Sequence, residues 1–195
     1  MVSCILLAAG LSSRFGSPKG LAMLNGKTIL ERHQHNLLLT KVTNIIVVLG
    51  AEAEKHRPHI LRSPKITSVH NPDYLSGQTS SVKCGVSALH PSHAAMILPV
   101  DFPFVQGATV DDLIREYERN RPLILVPSLH GRKGHPPIFS PDLRNDILSL
   151  SESVGLNDIL HRNLARVSVL PVEDEGVLAT FNTPEELAKI KTEFI

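Results

Sequence analysis

The segment that follows the first apolar run carries residue types suited to binding phosphate groups. Residues 7–19 read Leu-Ala-Ala-Gly-Leu-Ser-Ser-Arg-Phe-Gly-Ser-Pro-Lys, which combines small residues with two cations, Arg14 and Lys19. Small residues let backbone amides approach phosphate oxygens, and the two cations can neutralise several negative charges. This composition predicts a polyphosphate-binding loop. The alternative is a glycine- and serine-rich turn whose cations face solvent.

Neither of the common glycine-rich phosphate motifs occurs in this segment. A P-loop requires G-x-x-x-x-G-K-[ST], whereas five residues separate Gly10 from Gly16. The dinucleotide motif G-x-G-x-x-G is also absent, which argues against an oxidoreductase that binds a nicotinamide or flavin cofactor in the usual way. A phosphate site in this loop must therefore use a different arrangement of backbone and cations.

A second candidate is the carboxylate at the end of an apolar run in the middle of the chain. Residues 95–100 are apolar and lead directly into Asp101, Phe102 and Pro103. An aspartate at the end of a strand is commonly a turn former or a helix cap. It can also hold Mg²⁺, which proteins bind through one or two carboxylates together with substrate phosphates and water. We expect Asp101 to face the same cleft as residues 7–19.

Two further polar segments carry candidate binding residues. Residues 71–82 form a polar loop that opens onto a helix, which places Ser80 and Ser81 near a helix N-terminus where anions bind favourably. The alternative is a capped helix start without a ligand. Residues 131–139 form a second glycine-rich loop, in which His135 is either an acceptor-binding residue or an ordinary loop histidine.

These segments are positioned by short apolar runs that alternate with amphipathic stretches. Several runs are nearly continuous in isoleucine, valine and leucine, which is typical of strands covered on both faces of a parallel sheet. The alternation predicts a three-layer α/β/α sandwich around a mostly parallel, Rossmann-like sheet, and residues 1–195 are expected to form one domain. In such a sheet, ligands bind beyond the C-terminal ends of the strands. The predicted strands are residues 4–8, 45–49, 66–70, 94–100, 123–127 and 167–172.

Threonines mark the predicted starts of several helices. Thr28 precedes Glu31 by three positions, and Thr183-Pro precedes Glu186 at the same spacing, which is the pattern of a capping box. Thr109 is followed by two aspartates, and carboxylates early in a helix interact favourably with its dipole. We expect a helix to begin directly after each of these threonines.

The bulk composition excludes several classes of protein. Twenty Lys and Arg against 19 Asp and Glu give a net charge of +1, which argues against nucleic-acid binding by clustered cations. No apolar run approaches the roughly 20 residues of a membrane span. Two cysteines indicate no disulfide framework, which favours the cytoplasm. The histidine pairs are interpreted as surface residues, since no cysteine or acidic cluster completes a metal site: His33/His35, His56/His59 and His90/His93.

The first loop also resembles a known family. Its pattern L-A-A-G-x-S-x-R-x-G-x-x-K is similar to that of the nucleotidyltransferases that include molybdenum cofactor cytidylyltransferases and guanylyltransferases. In that family the loop wraps the triphosphate of the incoming nucleotide, and Leu-Ala-Ala-Gly favours the cytidylyl branch. The resemblance assigns the catalytic cations Arg14 and Lys19, and it assigns nucleotide binding to Ala8, Ala9, Gly10, Ser13 and Gly16.

The resemblance extends along nearly the whole chain. It implies that Asp101 binds the metal, as in the family's Asp-x-Pro segment, and that Ser80 and Ser81 line the nucleotide site. The Gly-His-Pro segment implies that His135 faces the acceptor. Residues 180–185 resemble the family's Asp-x-Asp/Asn-Thr-Pro-Glu, with Asn182 as a neutral metal ligand. This chain departs from the pattern at Thr180, where an acid is frequent, which puts a second metal-binding carboxylate in doubt.

The activity implied by the resemblance is transfer of CMP from CTP to molybdopterin or the molybdenum cofactor, with release of pyrophosphate and with Mg²⁺ as the metal. The recipient of the product would be a molybdoenzyme of the xanthine dehydrogenase type. Other readings stay open: a guanylyltransferase, a sugar- or polyol-phosphate nucleotidyltransferase, an oxidoreductase on the same fold, or a protein that binds and delivers the cofactor without catalysis.

Overall fold

The apolar runs form a central sheet, as the sequence predicts. The computed structural model describes residues 1–194 and gives strand bounds within two residues of those expected. The fourth to sixth predicted strands differ by one or two residues at their C-terminal ends. The first begins two residues earlier than predicted, and the fifth begins one residue later. The strands are β1 (Val2–Ala8), β2 (Met23–Leu24), β3 (Lys27–Thr28), β4 (Ile45–Leu49), β5 (Ile66–His70), β6 (Ala94–Pro99), β7 (Ile124–Leu129), β8 (Arg132–Lys133), β9 (Ile138–Phe139) and β10 (Val167–Pro171).

The sheet is mostly parallel. Its order is β10-β7-β9-β6-β1-β4-β5, with β8 paired to β7, while β2 and β3 form a separate two-stranded sheet. The strands β6, β1, β4 and β5 run parallel to one another, and β7 runs parallel to β10. The short β9 lies antiparallel between β6 and β7. The predicted fold class, a mostly parallel α/β sheet, is confirmed.

Helices cover both faces of this sheet and complete the three layers. Along β1, Cys4 and Leu6 belong to the core on one face, whereas Ile5 and Leu7 belong to the core on the other. Helices α1, α4 and α7 contribute to the first core, and α3, α5 and α6 to the second. The helices are α1 (Ile29–Leu38), α2 (Ala53–His56), α3 (Gln78–Ala88), α4 (Gly107–Asn120), α5 (Arg144–Ser149), α6 (Leu156–Arg162) and α7 (Pro184–Phe194).

The strands β5 and β10 lie at the sheet edges and are partly exposed, unlike the buried strands between them. One predicted helix start is wrong, because α4 begins at Gly107 and not after Thr109. The buried Asp174 carboxylate replaces the expected cap, because its Oδ2 accepts hydrogen bonds from Gln106 N at 2.9 Å and from Thr109 Oγ1 at 2.7 Å.

The other two helix starts are confirmed by their hydrogen bonds. Thr28 Oγ1 accepts from Glu31 N, and the Glu31 carboxylate accepts from Thr28 N at 2.8 Å, which is a complete capping box. The same exchange joins Thr183 and Glu186 at the start of α7. Within residues 1–194, no helix combines the length and the apolar character that crossing a membrane requires.

Helix α3 packs unusually close to the sheet, because it has a glycine where it crosses β1. A Cβ atom at Gly85 would lie 2.4 Å from Ile5 Cγ2 and 3.1 Å from Val48 Cγ2. We expect Gly85→Ala to lower the free energy of unfolding by about 1–3 kcal/mol, because overpacking outweighs the helix propensity that alanine adds. Urea denaturation measures this change. Ser87→Ala, at an exposed position of the same helix, should leave the value nearly unchanged.

Candidate functional site

The loops that leave the C-terminal ends of β1 and β6 surround a cavity of about 420 Å³, called here the first cavity. This is the edge at which open parallel sheets bind ligands. The residues predicted from separate parts of the sequence meet there, since the cavity is lined by the loop after β1, by Asp101 after β6 and by Asn182 before α7. The predicted site residues in its lining are Ala8, Ala9, Gly10, Ser13, Arg14, Lys19, Ser81, Asp101 and Asn182.

Lys19 lies at the centre of a cluster of polar side chains in the first cavity. Its Nζ donates to Asp101 Oδ2 at 2.8 Å and to Asn182 Oδ1 at 3.1 Å. Arg14 Nη2 donates to the same Asn182 oxygen at 3.0 Å. The side chain of Lys19 is 13% exposed and that of Asp101 is 24% exposed, so both groups are partly shielded from solvent yet reachable by a ligand.

The conformation of the loop after β1 explains how Lys19 reaches this position. Ser12 adopts a left-handed conformation with φ of 52°, and its carbonyl accepts from Phe15 N and Gly16 N at 2.9 and 3.1 Å. Its hydroxyl accepts from Lys19 N at 3.1 Å. Phe15 packs edge-on against Phe181 with ring centroids 5.4 Å apart, which ties the loop to the segment before α7.

Gly16 shapes this loop without lining the cavity. Its φ of +77° lies in the left-handed region that glycine adopts readily, and no other atom lies within 4 Å of the position of a Cβ. Gly10, by contrast, lines the first cavity, and a Cβ there would also meet nothing within 4 Å. The two predicted glycines therefore have different roles, one in the turn and one at the open face of the loop.

The two predicted serines also differ in their surroundings. Ser81 lines the first cavity, whereas Ser80 does not. The Ser80 hydroxyl is engaged with protein groups, because it hydrogen-bonds the carbonyls of Asp73 and Gly77 at 2.8 Å and accepts from Asn71 Nδ2 at 2.9 Å. This network secures the turn before α3, so the geometry places Ser80 in a supporting position and Ser81 at the cavity.

His135 lies outside the first cavity and lines a second one. The second cavity has a volume of about 460 Å³ and lies between the β6 end of the sheet and α6. The ring of His135 packs at a tilt of 38° against that of Phe102, one residue beyond Asp101, with centroids 4.4 Å apart. Gln78, the first residue of α3, lines both cavities, so the two lie side by side. The structure thus separates His135 from the cluster around Lys19 while keeping it close to the same strand end.

Sequence reasoning missed two residues that the loops after β4 and β5 bring to the first cavity, namely His56 and Tyr74. The pairs at 33/35 and 56/59 were expected to be surface histidines, which is wrong for His33 and His56, since both are buried. His56 Nδ1 lies 3.1 Å from the Glu52 carbonyl, and burial lowers the pKa of its ring. The sequence signal that could have placed His56 at the first cavity was its position after β4, because the loop after β4 opens at the same sheet edge as the loop after β1.

His33 supports the strand end that carries Asp101. Its Nε2 lies 3.0 Å from the Val100 carbonyl. Burial lowers the pKa of the ring to about 4, although that hydrogen bond and the charge of Asp101 each raise the pKa. In the unfolded chain this histidine has an ordinary pKa of about 6.5. Between pH 4 and pH 6.5 the unfolded chain therefore binds a proton there that the folded protein does not. The contribution of His33 to the free energy of unfolding is therefore fully present above pH 6.5, and it is lost as the pH falls toward 4.

The free energy of unfolding of the unaltered protein should fall between pH 7 and pH 5. In His33→Gln we expect this fall to be about 2 kcal/mol smaller. Glutamine keeps an amide donor for the Val100 carbonyl but does not titrate. Urea denaturation at the two pH values measures the difference. His35→Gln, at an exposed position of α1, should keep the original pH dependence, and an equal dependence in both variants would contradict the assignment.

Comparison with known proteins shows which family the chain belongs to. The family model described as MobA-like NTP transferase domain matches residues 4–167. Nicotine blue oxidoreductase from Paenarthrobacter nicotinovorans is 28% identical over 97% of this chain and 96% of its own length. Molybdenum cofactor cytidylyltransferase from Escherichia coli is 27% identical over 99% of this chain and 97% of its own length. The matches include both the loop after β1 and Asp101.

Solved structures show the same fold. Rv0371c from Mycobacterium tuberculosis superposes with a TM-score of 0.84 at 22% identity, and the superposition covers 98% of each chain. A structure of Rv0371c in complex with manganese superposes with a TM-score of 0.72 at 22% identity, over 88% of this chain and 87% of that one. The family match covers most of the chain, and the architecture agrees with it. The chain therefore belongs to the family of MobA-like NTP transferase domains.

Proposed function

We propose that this protein transfers CMP from CTP to a phosphorylated acceptor of the molybdopterin type and releases pyrophosphate. The observation that carries the proposal is the convergence of Arg14, Lys19 and Asp101 on one cavity, at the sheet edge where nucleotides bind in open α/β folds. Similarity to the molybdenum cofactor cytidylyltransferase over nearly the full length of both chains supports the choice of substrate.

The loop after β1 is proposed to hold the triphosphate. Ala8 at the end of β1 lines the cavity, as do Ala9 and Gly10 in the loop, and the absence of a side chain at Gly10 leaves space for phosphate oxygens. Arg14 and Lys19 carry the positive charge that a triphosphate requires, and both are fixed by Asn182 Oδ1. Charge of this kind, held in place before the reaction, stabilises the growing negative charge on the leaving pyrophosphate.

Asp101 is the residue proposed to hold Mg²⁺. Its carboxylate is a hard oxygen donor that remains partly exposed to the first cavity, which fits the ligand preference of this ion. Residues 1–194 contain no group of three or more His, Cys, Asp or Glu placed to hold a metal. Substrate phosphates and water are the ligands that commonly accompany one or two carboxylates at Mg²⁺. When bound, Mg²⁺ would supply charge neutralisation at the phosphates. The Rv0371c complex with manganese supports a divalent ion at this fold.

Asn182 is better placed to position the cations than to bind the metal. Its Oδ1 accepts from Arg14 Nη2 and from Lys19 Nζ, and an oxygen between two cationic donors is poorly placed to bind a third cation. Asn182 also joins the end of the chain to the loop after β1, 168 residues away. This contact supports the proposal that the chain forms one nucleotidyltransferase domain.

No general base is required for the proposed reaction. The phosphate of the acceptor is already a dianion near neutral pH and can attack the α-phosphorus of CTP, so that pyrophosphate leaves. Catalysis then depends on alignment and on charge neutralisation, as in other phosphoryl transfers. The chain's contribution is to orient the triphosphate with residues 8–14 and Lys19 and to bring the acceptor alongside in the second cavity, which shares Gln78 with the first.

The wider role proposed for the protein follows from this product. A CMP-linked molybdopterin would be passed to a molybdoenzyme, with the xanthine dehydrogenase type as the proposed recipient. We place the reaction in the cytoplasm, where the free thiols of Cys4 and Cys84 would stay reduced.

The decisive experiment is to incubate the protein with molybdopterin, Mg²⁺ and an equimolar mixture of the four NTPs. Release of pyrophosphate with a CMP-linked product in the mass spectrum is the expected result. A GMP-linked product would change the nucleotide assigned, and calorimetry with CTP and GTP, each with and without Mg²⁺, would locate the preference. Tight molybdopterin binding without any pyrophosphate release would instead identify a delivery protein and contradict the proposal.

An oxidoreductase is the second candidate, because nicotine blue oxidoreductase is 28% identical over 97% of this chain. The lack of G-x-G-x-x-G counts against a dinucleotide bound in the usual manner, but the cations of the first cavity would also suit a dinucleotide pyrophosphate. Calorimetry with NADPH and NADH under the same conditions separates the two. Binding of either with an affinity above that of CTP would favour the oxidoreductase.

A further inference from the structure

A third cavity, of about 500 Å³, lies on the face of the sheet that α1 and α7 cover. It is called here the basic cavity, because Lys27, Arg32 and two histidines line it, while its described lining contains no aspartate or glutamate. Its walls come from the turn between β2 and β3, from α1, from the loop after β6 and from the end of α7. No residue of 1–194 lines both this cavity and the first one, so the two are distinct sites.

The two cations of the basic cavity lack a counter-charge from the protein. Neither Lys27 nor Arg32 takes part in an ion pair within residues 1–194. Arg32 is half-buried, and its Nε is shielded from solvent without an accepting partner. This nitrogen is out of reach of a ligand, but the two Nη groups are not among the shielded atoms and offer donors that a ligand can meet. A partly buried charge without a partner costs free energy, which a bound anion would offset.

The start of α1 holds both cations in place. Asn25 and Gly26 adopt positive φ values of 52° and 76°, which close the tight turn between β2 and β3. Lys27 follows this turn directly, and Arg32 lies about one helical turn beyond Thr28, the cap of α1. Both cations therefore lie at the N-terminal end of this helix, where the helix dipole adds to their attraction for an anion.

The rest of the cavity is built on contacts between α1, the loop after β6 and α7. Asn36 Nδ2 donates a hydrogen bond to the Val105 carbonyl at 2.9 Å, which joins α1 to that loop. The rings of Phe104 and Phe194 stack at an angle of 15° with centroids 4.5 Å apart, which joins the loop to α7. The cavity is therefore preformed, so that binding would require little ordering of the chain.

We propose that the basic cavity is a second anion site, in which Lys27 and the Nη groups of Arg32 bind a phosphate group. The planar guanidinium matches phosphate oxygens through paired N–H donors, and the lysine ammonium adds a compact charge. The net charge of the chain is only +1, so attraction for an anion depends on local groups of cations such as this one. The proposal does not depend on the proposed function, because the basic cavity contains none of the residues assigned to nucleotidyl transfer.

Titration of the ¹⁵N-labelled protein with inorganic phosphate, followed by two-dimensional NMR, tests the proposal in the absence of Mg²⁺ and nucleotide. The amide signals of Gly26, Lys27 and Arg32 should shift along saturating curves that share one midpoint. Arg32→Gln removes the guanidinium, and we expect it to raise that midpoint about tenfold or more, as the loss of a hydrogen bond to a charged group does. Arg32→Lys keeps the charge without the paired donors, and its midpoint should lie between the other two.

Arg166→Gln is the matched control, because it makes the same substitution at an exposed arginine that has no carboxylate partner in the described part of the chain. Its midpoint should stay within about twofold of that of the unaltered protein, since solvent and salt screen a distant surface charge. An equal loss of affinity in Arg166→Gln and Arg32→Gln would indicate a response to net charge alone and would overturn the proposal. An unchanged midpoint in Arg32→Gln would also overturn it, as would shifts confined to the loop after β1. The dispersed amide signals of each variant verify that it is folded.

Three further titrations define the anion. Acetate at matched ionic strength should leave the signals of Gly26 and Lys27 unshifted, and equal midpoints for acetate and phosphate would overturn the recognition of phosphate. Inorganic pyrophosphate and CMP carry phosphate groups on different frameworks. Whichever of them has a midpoint below that of phosphate, raised again in Arg32→Gln, would show whether the group is bound as a free anion or as part of a nucleotide.

Discussion

Lys19→Ala is expected to slow nucleotidyl transfer by about 10²–10³-fold, the usual consequence of removing one preorganised electrostatic group from an active site. The structure gives this expectation a geometric basis, because Lys19 Nζ contacts both Asp101 Oδ2 and Asn182 Oδ1 and lies 5.3 Å from the centre of the Phe181 ring. These contacts hold the ammonium group in the first cavity before any substrate arrives. The loss should appear mainly in kcat, measured by continuous pyrophosphate release.

The matched control is Lys41→Ala. Lys41 is exposed and precedes β4, so it lies at the edge of the sheet opposite the first cavity, and its removal should change the rate by less than about twofold. If Lys19→Ala kept the rate of the unaltered protein, the assignment of the loop after β1 to the leaving pyrophosphate would fail. A raised KM for CTP with an unchanged kcat would place Lys19 in ground-state binding only.

The position of the loop after β1 was predictable from the local sequence. Its small residues and cations follow a buried strand directly, and a parallel sheet brings the ends of such strands to one edge. The same reasoning predicted that Asp101 would lie nearby, and the 2.8 Å contact with Lys19 confirms that the two segments converge. Adjacent pairing of β1 with β6 is the physical reason, since it places Leu7 and Pro99, near the ends of the two strands, side by side.

Burial of single side chains was harder to predict than the position of the loops. Ser80 and Ser81 are neighbours in sequence, yet only Ser81 faces the first cavity, because the turn at Asn71, Asp73 and Gly77 takes up the hydroxyl of Ser80. His56 was expected on the surface and is buried against Gly20. These outcomes depend on how the loops pack on one another, which leaves no periodic signal in the sequence.

The start of α4 shows a limit of a different kind. Thr109 has the residue type of a helix cap, but the capping carboxylate comes from Asp174, which is 65 residues further along the chain. A long-range cap of this kind is invisible to any rule based on neighbouring residues. The antiparallel β9 was missed for a related reason, since its two residues are too few to show an alternating pattern.

Asp101→Asn should reduce the rate by about 10²-fold or more and should also weaken the response to Mg²⁺. The substitution removes the negative charge proposed to hold the ion but preserves the size of the side chain. Asp112→Asn is the matched control, because Asp112 is an exposed residue of α4 whose carboxylate pairs with Arg115 on the surface. Surface pairs of this kind contribute little, so the control should keep both its rate and its response to Mg²⁺.

The Mg²⁺ titration separates the roles of Asp101 and Lys19, which a rate measurement alone cannot do, because each side chain is the other's partner in the ion pair. If Asp101 holds the ion, Asp101→Asn should require a higher Mg²⁺ concentration for half-maximal rate. Lys19→Ala should not, since it removes a competing cation from the carboxylate. Equal Mg²⁺ requirements in both variants would mean that Asp101 acts only by positioning Lys19, and the metal would then have to be held by the nucleotide.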